Sequence, residues 1–171
     1  MLIGENGLSV QNAASFWYHL VMRTIHRDIV GGFIFSKDGK LLLGKNRKGG
    51  VYEGSLVVPG GGVDEGETKL QALRREMLEE TGIDINEAAI TELNTASGEG
   101  EKTLRDTGER VYVKMDFYNY RVEMPLLAED IRIIAEDDWI EPQWFAVQEL
   151  RSQPLSPPTK KLLIDTGLLA A

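Results

Sequence analysis

Apolar runs separated by polar turns recur along this chain at intervals typical of β-strands. The runs IVGGFIFS and LLLG flank an Asp38-Gly39 pair, and an Asp-Gly pair between two apolar runs predicts a β-hairpin. The segment RVYVKMDFYNYRVEM is rich in β-branched and aromatic residues, which favour strands. Six segments are predicted to be strands: residues 29–36, 41–44, 55–59, 88–93, 110–124 and 143–147.

One longer helix is predicted shortly after the glycine run at 60–62. Thr68, with Gln71 three residues later, forms a capping box, which marks the start of a helix. Gly82 is typical of a helix end. An apolar stripe at helical spacing predicts the buried side of this helix: Leu70, Leu73 and Met77.

The remaining segments are shorter or more polar. Residues 147–153 predict one helical turn, residues 157–169 a closing helix with proline near its start, and residues 94–109 a mobile polar loop. Residues 126–142 are acidic and indicate no single element. Many strands and few helices favour an α+β fold with a mixed sheet.

The start of the chain differs from the rest. Residues 13–25 predict a short helix, with Phe16 and Leu20 on its apolar side. Packing or a dimer contact explains this segment better than a catalytic role does. We therefore predict an N-terminal extension over residues 1–27 and one domain over residues 28–171, a length ample for a single core.

Composition narrows the classes of function. The chain has 171 residues with 27 acidic and 19 basic side chains, a formal charge of −8, so it is a poor general binder of nucleic acid polymers. It has no cysteine, which excludes disulfides, thiolate metal ligands and cysteine nucleophiles. The N-terminus lacks a basic signal-peptide region, and the apolar stretch 16–22 is too short to span a bilayer. We expect a cytoplasmic protein with no membrane partner.

The helix after the glycine run carries a concentration of like charges. At about 100° per residue, Glu76, Glu79 and Glu80 lie within one third of its circumference, where they repel one another. Carboxylate oxygens suit Mg²⁺, and a glycine allows a backbone carbonyl to come close. For a glutamate pair alone, however, a solvated helix face is the commoner explanation.

The spacing of residues over the whole segment 61–83 is more informative than the glutamates alone. Gly61, Glu67 six residues on, and the run 75–83 (REMLEETGI) match every fixed position of the signature G-x5-E-x7-R-E-aliphatic-x-E-E-x-G-aliphatic. The chain thus resembles the Nudix hydrolase superfamily. The resemblance is close over this signature, the Nudix box of residues 61–83, and looser over residues 28–150. The resemblance implies an α+β fold with a mixed β-sheet sandwiched between helices.

The resemblance also implies a chemistry. Most family members hydrolyse a diphosphate linkage in a nucleoside diphosphate derivative with Mg²⁺, and Mn²⁺ is an alternative. Carried over, Glu76, Glu79 and Glu80 are expected metal ligands and catalytic residues, with the carbonyl of Gly60 as a further ligand. Arg75 is expected to orient a box carboxylate.

The general base does not carry over from the family. One candidate is Glu76, and another is an acidic residue before the last strand, Asp138, as base or extra ligand. A surface loop charge is the competing explanation for Asp138.

Five residues are candidates for substrate binding. Arg27, Lys45 and Arg47 are expected near the cleft and offer donors to phosphates. Tyr52 and Trp139 offer rings that stack on a base. For the cations surface solvation is an equal alternative, and for the rings packing in the core or at the rim is the commoner one.

The substrate is left open among three classes. The proline typical of ADP-ribose hydrolases, about fifteen residues past the box, is absent, since that region reads ASGE. Nucleoside triphosphates, oxidised nucleotides and nucleotide sugars remain. A non-catalytic, nucleotide-binding regulatory module is the alternative function, although such domains usually lose box carboxylates. Family members often form homodimers, so a homodimer is a further expectation by analogy.

Overall fold

The computed structural model describes residues 22–46, 52–104, 106–134 and 139–170. The strands in these ranges are β1 (Thr24–Phe35), β2 (Lys40–Asn46), β3 (Leu56–Val57), β4 (Gly60–Gly62), β5 (Ala89–Thr103), β6 (Arg110–Glu123) and β7 (Trp139–Ala146). The α-helices are α1 (Lys69–Thr81) and α2 (Pro157–Asp165), and 3-10 helices span Ala128–Asp130 and Val147–Ser152. None of the helices in the described ranges is long and apolar enough to cross a bilayer.

The sheet is mixed, as predicted. Its order is β3-β2-β1-β6-β5, and β1 pairs antiparallel with β2 and β4, while β2 pairs antiparallel with β3 and β7. The amide of Tyr112 donates to the carbonyl of Arg23, and the amide of Met124 donates to the carbonyl of Phe35. Because the partner number rises along both strands, β1 and β6 run parallel.

Each face of this sheet packs against a helix. Val30 and Ile34 of β1 lie in one apolar cluster with the buried side of α1, whereas Phe33 and Phe35 lie in a second cluster with α2. This change of side follows from the period of two along a strand. We call the two sides of the sheet the α1 face and the α2 face. The helix residues in the clusters are Ala72, Leu73 and Met77 in α1 and Leu162 and Leu163 in α2.

Local sequence signals set the ends of α1 as predicted. The Thr68 side chain accepts a hydrogen bond from the amide of Gln71, the Gln71 side chain accepts one from the amide of Thr68, and Gly82 ends the helix with φ 68°. The predicted apolar stripe was partly wrong. Leu70 is 40% exposed, whereas Ala72 is fully buried, because the side that meets the sheet is rotated away from Leu70.

Two further predictions needed correction. The polar segment 94–109 is not a loop over most of its length, since β5 continues to Thr103 before the turn into β6. Its side chains are mostly exposed, so the segment lacks the apolar alternation by which strands are recognised. The closing helix ends at Asp165 rather than at residue 169, because the hydroxyl of Thr166 donates to the carbonyl of Leu162 and Gly167 adopts φ 74°.

The described residues group into two compact units. The larger comprises 28–96 and 116–170, and the smaller comprises 22–27 and Ser97–Met115. In the smaller unit Arg23 forms an ion pair of 2.7 Å with Glu109. The predicted helix at 13–25 lies largely outside the described residues, and its last residues, Thr24 and Ile25, belong to β1. The division into 1–27 and 28–171 stays a prediction.

Close packing around Gly44 gives a test of the fold. A Cβ added at this buried position would lie 2.3 Å from Cε2 of the Trp139 ring, which is itself 2% exposed. We expect Gly44→Ala to lower the free energy of unfolding by about 1–3 kcal/mol, because the indole must move within a packed core. Urea unfolding followed by circular dichroism measures this change.

The matched control is Gly100→Ala in β5. A Cβ added there meets nothing within 4 Å. This variant should stay within about 0.5 kcal/mol of the wild type. Equal unfolding midpoints for the two variants would contradict the packing described around Trp139.

Candidate active site

The glycine strand β4 brings the backbone against β1 and leaves space for a carboxylate. Gly31 pairs with Gly60 and Val30 pairs with Gly61. Gly60 has φ 152°, and a Cβ there would lie 2.1 Å from the carbonyl oxygen of Val30. A Cβ on Gly61 would lie 2.4 Å from Oε1 of Glu76. Glycine at 60 and 61 is therefore required for this approach of strand and helix.

Glu76 lies in the gap beside Gly61. Its side chain is 13% exposed, and its Oε1 accepts a hydrogen bond of 2.8 Å from Nη1 of Arg75. Burial raises the pKa of this carboxyl above its ordinary value, although the neighbouring guanidinium acts in the opposite direction. Glu76 is thus a partly desolvated carboxylate that is positioned by the Arg75 guanidinium.

The same guanidinium binds several other oxygens. Nε and Nη2 of Arg75 each donate to Glu67 at 2.9 Å, and Nη1 also donates to Glu79 at 3.1 Å. Nη2 donates at 2.8 Å to the carbonyl of Gly62. Arg75 therefore ties the glycine strand, the following loop and the helix together through one planar group.

Glu67 braces the loop between β4 and α1. Besides binding Arg75, it accepts a hydrogen bond of 3.0 Å from the amide of Asp64. The Arg75 guanidinium, helped by that amide, lowers the pKa of Glu67 to about 2. Glu67 consequently stays ionised, and paired with Arg75, at pH values below its ordinary pKa of 4.5.

Glu80 reaches back to the glycine strand. Its Oε2 accepts a hydrogen bond of 2.7 Å from the amide of Gly60. The sequence predicted a role for the Gly60 carbonyl, and the structure places the amide of the same residue against a box carboxylate. Glu79 is more open to solvent, with 54% of its side chain exposed.

The carboxylate oxygens of Glu76, Glu79 and Glu80 suit a hard divalent cation, but in this structure they do not converge on one point. No three acidic or histidine side chains among the described residues are arranged to hold a metal ion. Arg75 and the Gly60 amide hold the carboxylates instead. The oxygen chemistry and the space that Gly61 leaves beside Glu76 nevertheless fit Mg²⁺, provided that Glu79 and Glu80 turn inward.

The predicted substrate contacts are dispersed. Arg27 is exposed on β1, and Tyr52 is exposed just after an undescribed stretch. Lys45 forms an ion pair with Glu141, a residue with φ 51° beside a register shift between β2 and β7. Contact of these three residues with a substrate stays a prediction.

The sequence left open whether the Trp139 ring stacks on a substrate base or packs within the protein. The ring lies in the core, and its Nε1 donates at 3.2 Å to the carbonyl of Val57. The predicted stacking on a base is therefore not available to this ring, because almost none of its surface reaches solvent. Arg47 and Asp138 lie outside the described residues.

One polar residue near the glycine strand was not predicted. Oδ1 of Asn119 lies 2.9 Å from the point where Gly31 would carry a Cβ. The signal was present in the sequence as an amide within the aromatic run FYNY of β6. Only strand pairing relates that residue to the glycines.

Comparison with known proteins agrees with this geometry. The family model described as NUDIX domain matches residues 25–165. A nucleoside triphosphatase NudI from Escherichia fergusonii is 30% identical over 138 residues, which cover 80% of this chain and 94% of that protein. An 8-oxo-dGTP diphosphatase from Haemophilus influenzae is 44% identical over 55 residues, or 32% of this chain and 40% of that protein.

A solved structure supports the same fold. The NUDIX domain of Shewanella oneidensis NrtR, crystallised with ADP ribose, superposes with a TM-score of 0.61 at 20% identity. The match covers 84% of this chain and 86% of that domain. Together with the family match over most of the sequence, these findings show that the chain belongs to the Nudix family and is a Nudix-type hydrolase.

Proposed function

We propose that this enzyme hydrolyses a diphosphate linkage in a nucleoside triphosphate and that Mg²⁺ is its metal ion. The observation that carries the proposal is the complete box, in which Arg75 binds Glu67, Glu76 and Glu79 beside the glycine strand. The nucleoside triphosphatase that aligns over 80% of the chain supports this substrate class. Oxidised nucleotides and nucleotide sugars are the next substrates to compare.

The metal ligands in this proposal are carboxylates of α1 and the β4 backbone. Glu76, Glu79 and Glu80, with the carbonyl of Gly60, would hold the ion. When bound, Mg²⁺ would neutralise phosphate charge and lower the pKa of a bound water. The cation would also remove the repulsion among three glutamates on one helix face.

The protein residues have separate tasks in the reaction. Arg75 fixes the direction of the Glu76 carboxylate and holds the loop through Gly62. Among the described residues, Glu76 is the candidate for the general base, since its carboxylate is partly buried beside the glycine strand and is oriented by Arg75. Asp138 stays a second candidate from the sequence.

The competing function is a binding module without turnover. A panel of nucleoside triphosphates, oxidised nucleotides and nucleotide sugars, assayed with and without Mg²⁺, separates the two. Release of inorganic phosphate, pyrophosphate or a nucleoside monophosphate supports the hydrolase. Binding without any product across the panel would support the module.

Glu80 provides the most direct test of the metal role. We expect Glu80→Gln to lower kcat/KM by at least about a hundredfold with the fold intact, because an amide keeps the shape but loses the charge that holds the ion. Glu87→Gln, at an exposed turn after α1, is the control and should retain wild-type activity. An unchanged rate for Glu80→Gln would remove Glu80 from the metal site.

Metal binding should also be visible without turnover. We expect Mg²⁺ at a hundredfold excess over its Kd to stabilise the wild type by about 2.7 kcal/mol, since the ion binds the folded state alone. Differential scanning fluorimetry would register a rise in Tm of several degrees, and the double variant Glu76→Gln, Glu80→Gln should show none. An equal rise in both proteins would contradict the assigned ligands.

Arg75 is proposed as a positioning residue. Arg75→Lys keeps the charge but loses the planar group that bonds several oxygens, so we expect activity to fall about ten- to a hundredfold. Arg74→Lys, on the exposed neighbouring position, is the control. A loss of activity equal in both variants would point to a general effect on α1.

The same variant should change acid stability. Glu67 has a folded pKa of about 2, below its ordinary 4.5, so its stabilising contribution is present above pH 4.5 and is lost as the pH falls toward 2. Arg75→Lys should raise the pKa of Glu67 and move acid unfolding to higher pH. Circular dichroism across pH 2–6 measures this, and an unmoved midpoint would contradict the pairing.

A further inference from the structure

Two valines in the smaller unit are buried without belonging to either core cluster of the sheet. Val111 is fully buried and Val113 is 2% exposed, yet neither belongs to the apolar cluster that packs against α1 or to the one that packs against α2. Since side chains alternate along a strand, both valines lie on one side of β6, and Lys114, on the other side, is exposed. We call the side of β6 that carries the two valines the valine face.

A side chain on a strand is buried this completely only when a second layer covers the sheet. Neighbouring strands shield its flanks, but its end reaches solvent unless another element packs over it. The β5 residues of this unit cannot form that layer, because their side chains are polar or absent: Ser97, Gly98, Glu99, Gly100, Glu101, Lys102 and Thr103. The unit's other apolar residues are only half-buried and lie in its strands or close to their ends: Met22, Ile25, Leu104 and Met115. None of the described residues of the smaller unit therefore supplies the layer.

The sequence outside the described ranges offers one apolar segment. Residues 47–51, 105, 135–138 and 171 read RKGGV, R, AEDD and A, which are charged, short or rich in glycine. Residues 13–21 read AASFWYHLV and contain no Asp, Glu, Lys or Arg. The rings of Phe, Trp and Tyr in this segment carry a large apolar surface that suits the covering of two valines.

The point at which this segment joins β1 lies beside the valines. Tyr112 separates the two valines in the sequence, and its amide donates at 3.0 Å to the carbonyl of Arg23. The guanidinium of Arg23 also donates to Glu109 in two hydrogen bonds, of 3.0 and 2.7 Å. Arg23 is thus held against β6, and residues 13–21 precede it almost directly. A segment of this length spans about 14 Å as a helix and about 30 Å when extended, and either is enough to cover two valines on one strand.

We propose that residues 13–21 dock on the valine face of their own chain and complete the apolar core of the smaller unit, an inference independent of the proposed hydrolysis. A small sheet is stable only when an apolar face packs against another element, and this segment is the apolar element that the sequence provides. The same chain is favoured over a second copy because a short tether gives the segment a local concentration of about a millimolar.

Cysteine pairs in the full-length protein test the contact directly, because the chain has no native cysteine. Val113→Cys is combined in turn with Phe16→Cys, Trp17→Cys and Leu20→Cys, and each protein is oxidised under native conditions at low concentration. A disulfide needs Cα atoms about 4.4–6.8 Å apart, so we expect at least one pair to close within one chain and to migrate faster on a non-reducing gel. Lys114→Cys with the same partners is the matched control and should not close.

The accessibility of a single thiol gives a second measurement that needs no cross-link. We expect Val113→Cys to react with a disulfide reagent such as dithiobis(nitrobenzoate) at least about a hundredfold more slowly than Lys114→Cys, since its thiol lies under the docked segment. Adding Phe16→Ser and Leu20→Ser should speed the reaction of the Val113→Cys protein by about tenfold or more, because the segment then opens more often. The same two changes should leave the reaction of the Lys114→Cys protein unchanged.

The control for the serine substitutions is a pair of exposed leucines in the larger unit. Leu126→Ser with Leu127→Ser should leave the thiol of Val113→Cys as protected as before. Circular dichroism of each variant verifies that the fold is retained, and the cross-linking measurement does not depend on the serine variants.

The outcomes separate the possible occupants of the valine face. Disulfides that form only between chains would assign this face to a second copy and overturn docking within one chain. The absence of a disulfide in every Val113→Cys pair would also overturn the inference, as would a thiol rate that the serine substitutions leave unchanged. None of these results bears on the proposed hydrolysis, whose residues lie in the larger unit.

Discussion

The guanidinium of Arg75 is the contact on which the arrangement of the acidic helix depends. It donates to three glutamates and to the carbonyl of Gly62, so one side chain fixes helix, loop and strand at once. Without a cation, carboxylates one helical turn apart would repel one another, and burial would raise the pKa of Glu76 without opposition. The Arg75 guanidinium opposes that rise in pKa and orients the Glu76 carboxylate through a hydrogen bond. The same negative charge makes the site receptive to a divalent ion.

The glycines supply the complementary constraint, which is steric. A side chain at position 60 would overlap the backbone of Val30, and one at position 61 would overlap the Glu76 carboxylate. Because these residues have none, β4 can pair with β1 while α1 brings its glutamates against the strand. The backbone amide of Gly60 then becomes a hydrogen-bond donor to Glu80. Electrostatic and steric requirements thus meet in one short segment.

The two faces of the sheet pack against different helices. On the α1 face, apolar residues from the strands and α1 hold the helix that carries the glutamates. The α2 face is largely apolar as well, but Asn119 interrupts it beside Gly31.

The local features of this protein can be predicted from its sequence, because they depend on residues that are neighbours in the chain. The Asp38-Gly39 hairpin, the Thr68–Gln71 capping box, the stop at Gly82 and the spacing of the glutamates are all readable within a few residues. Features that depend on contacts between distant parts of the chain required the folded structure. It extended β5 through a polar segment, buried Trp139, exposed Leu70 and placed Asn119 opposite Gly31. Periodicity reports which residues share a face, but only packing determines what that face meets.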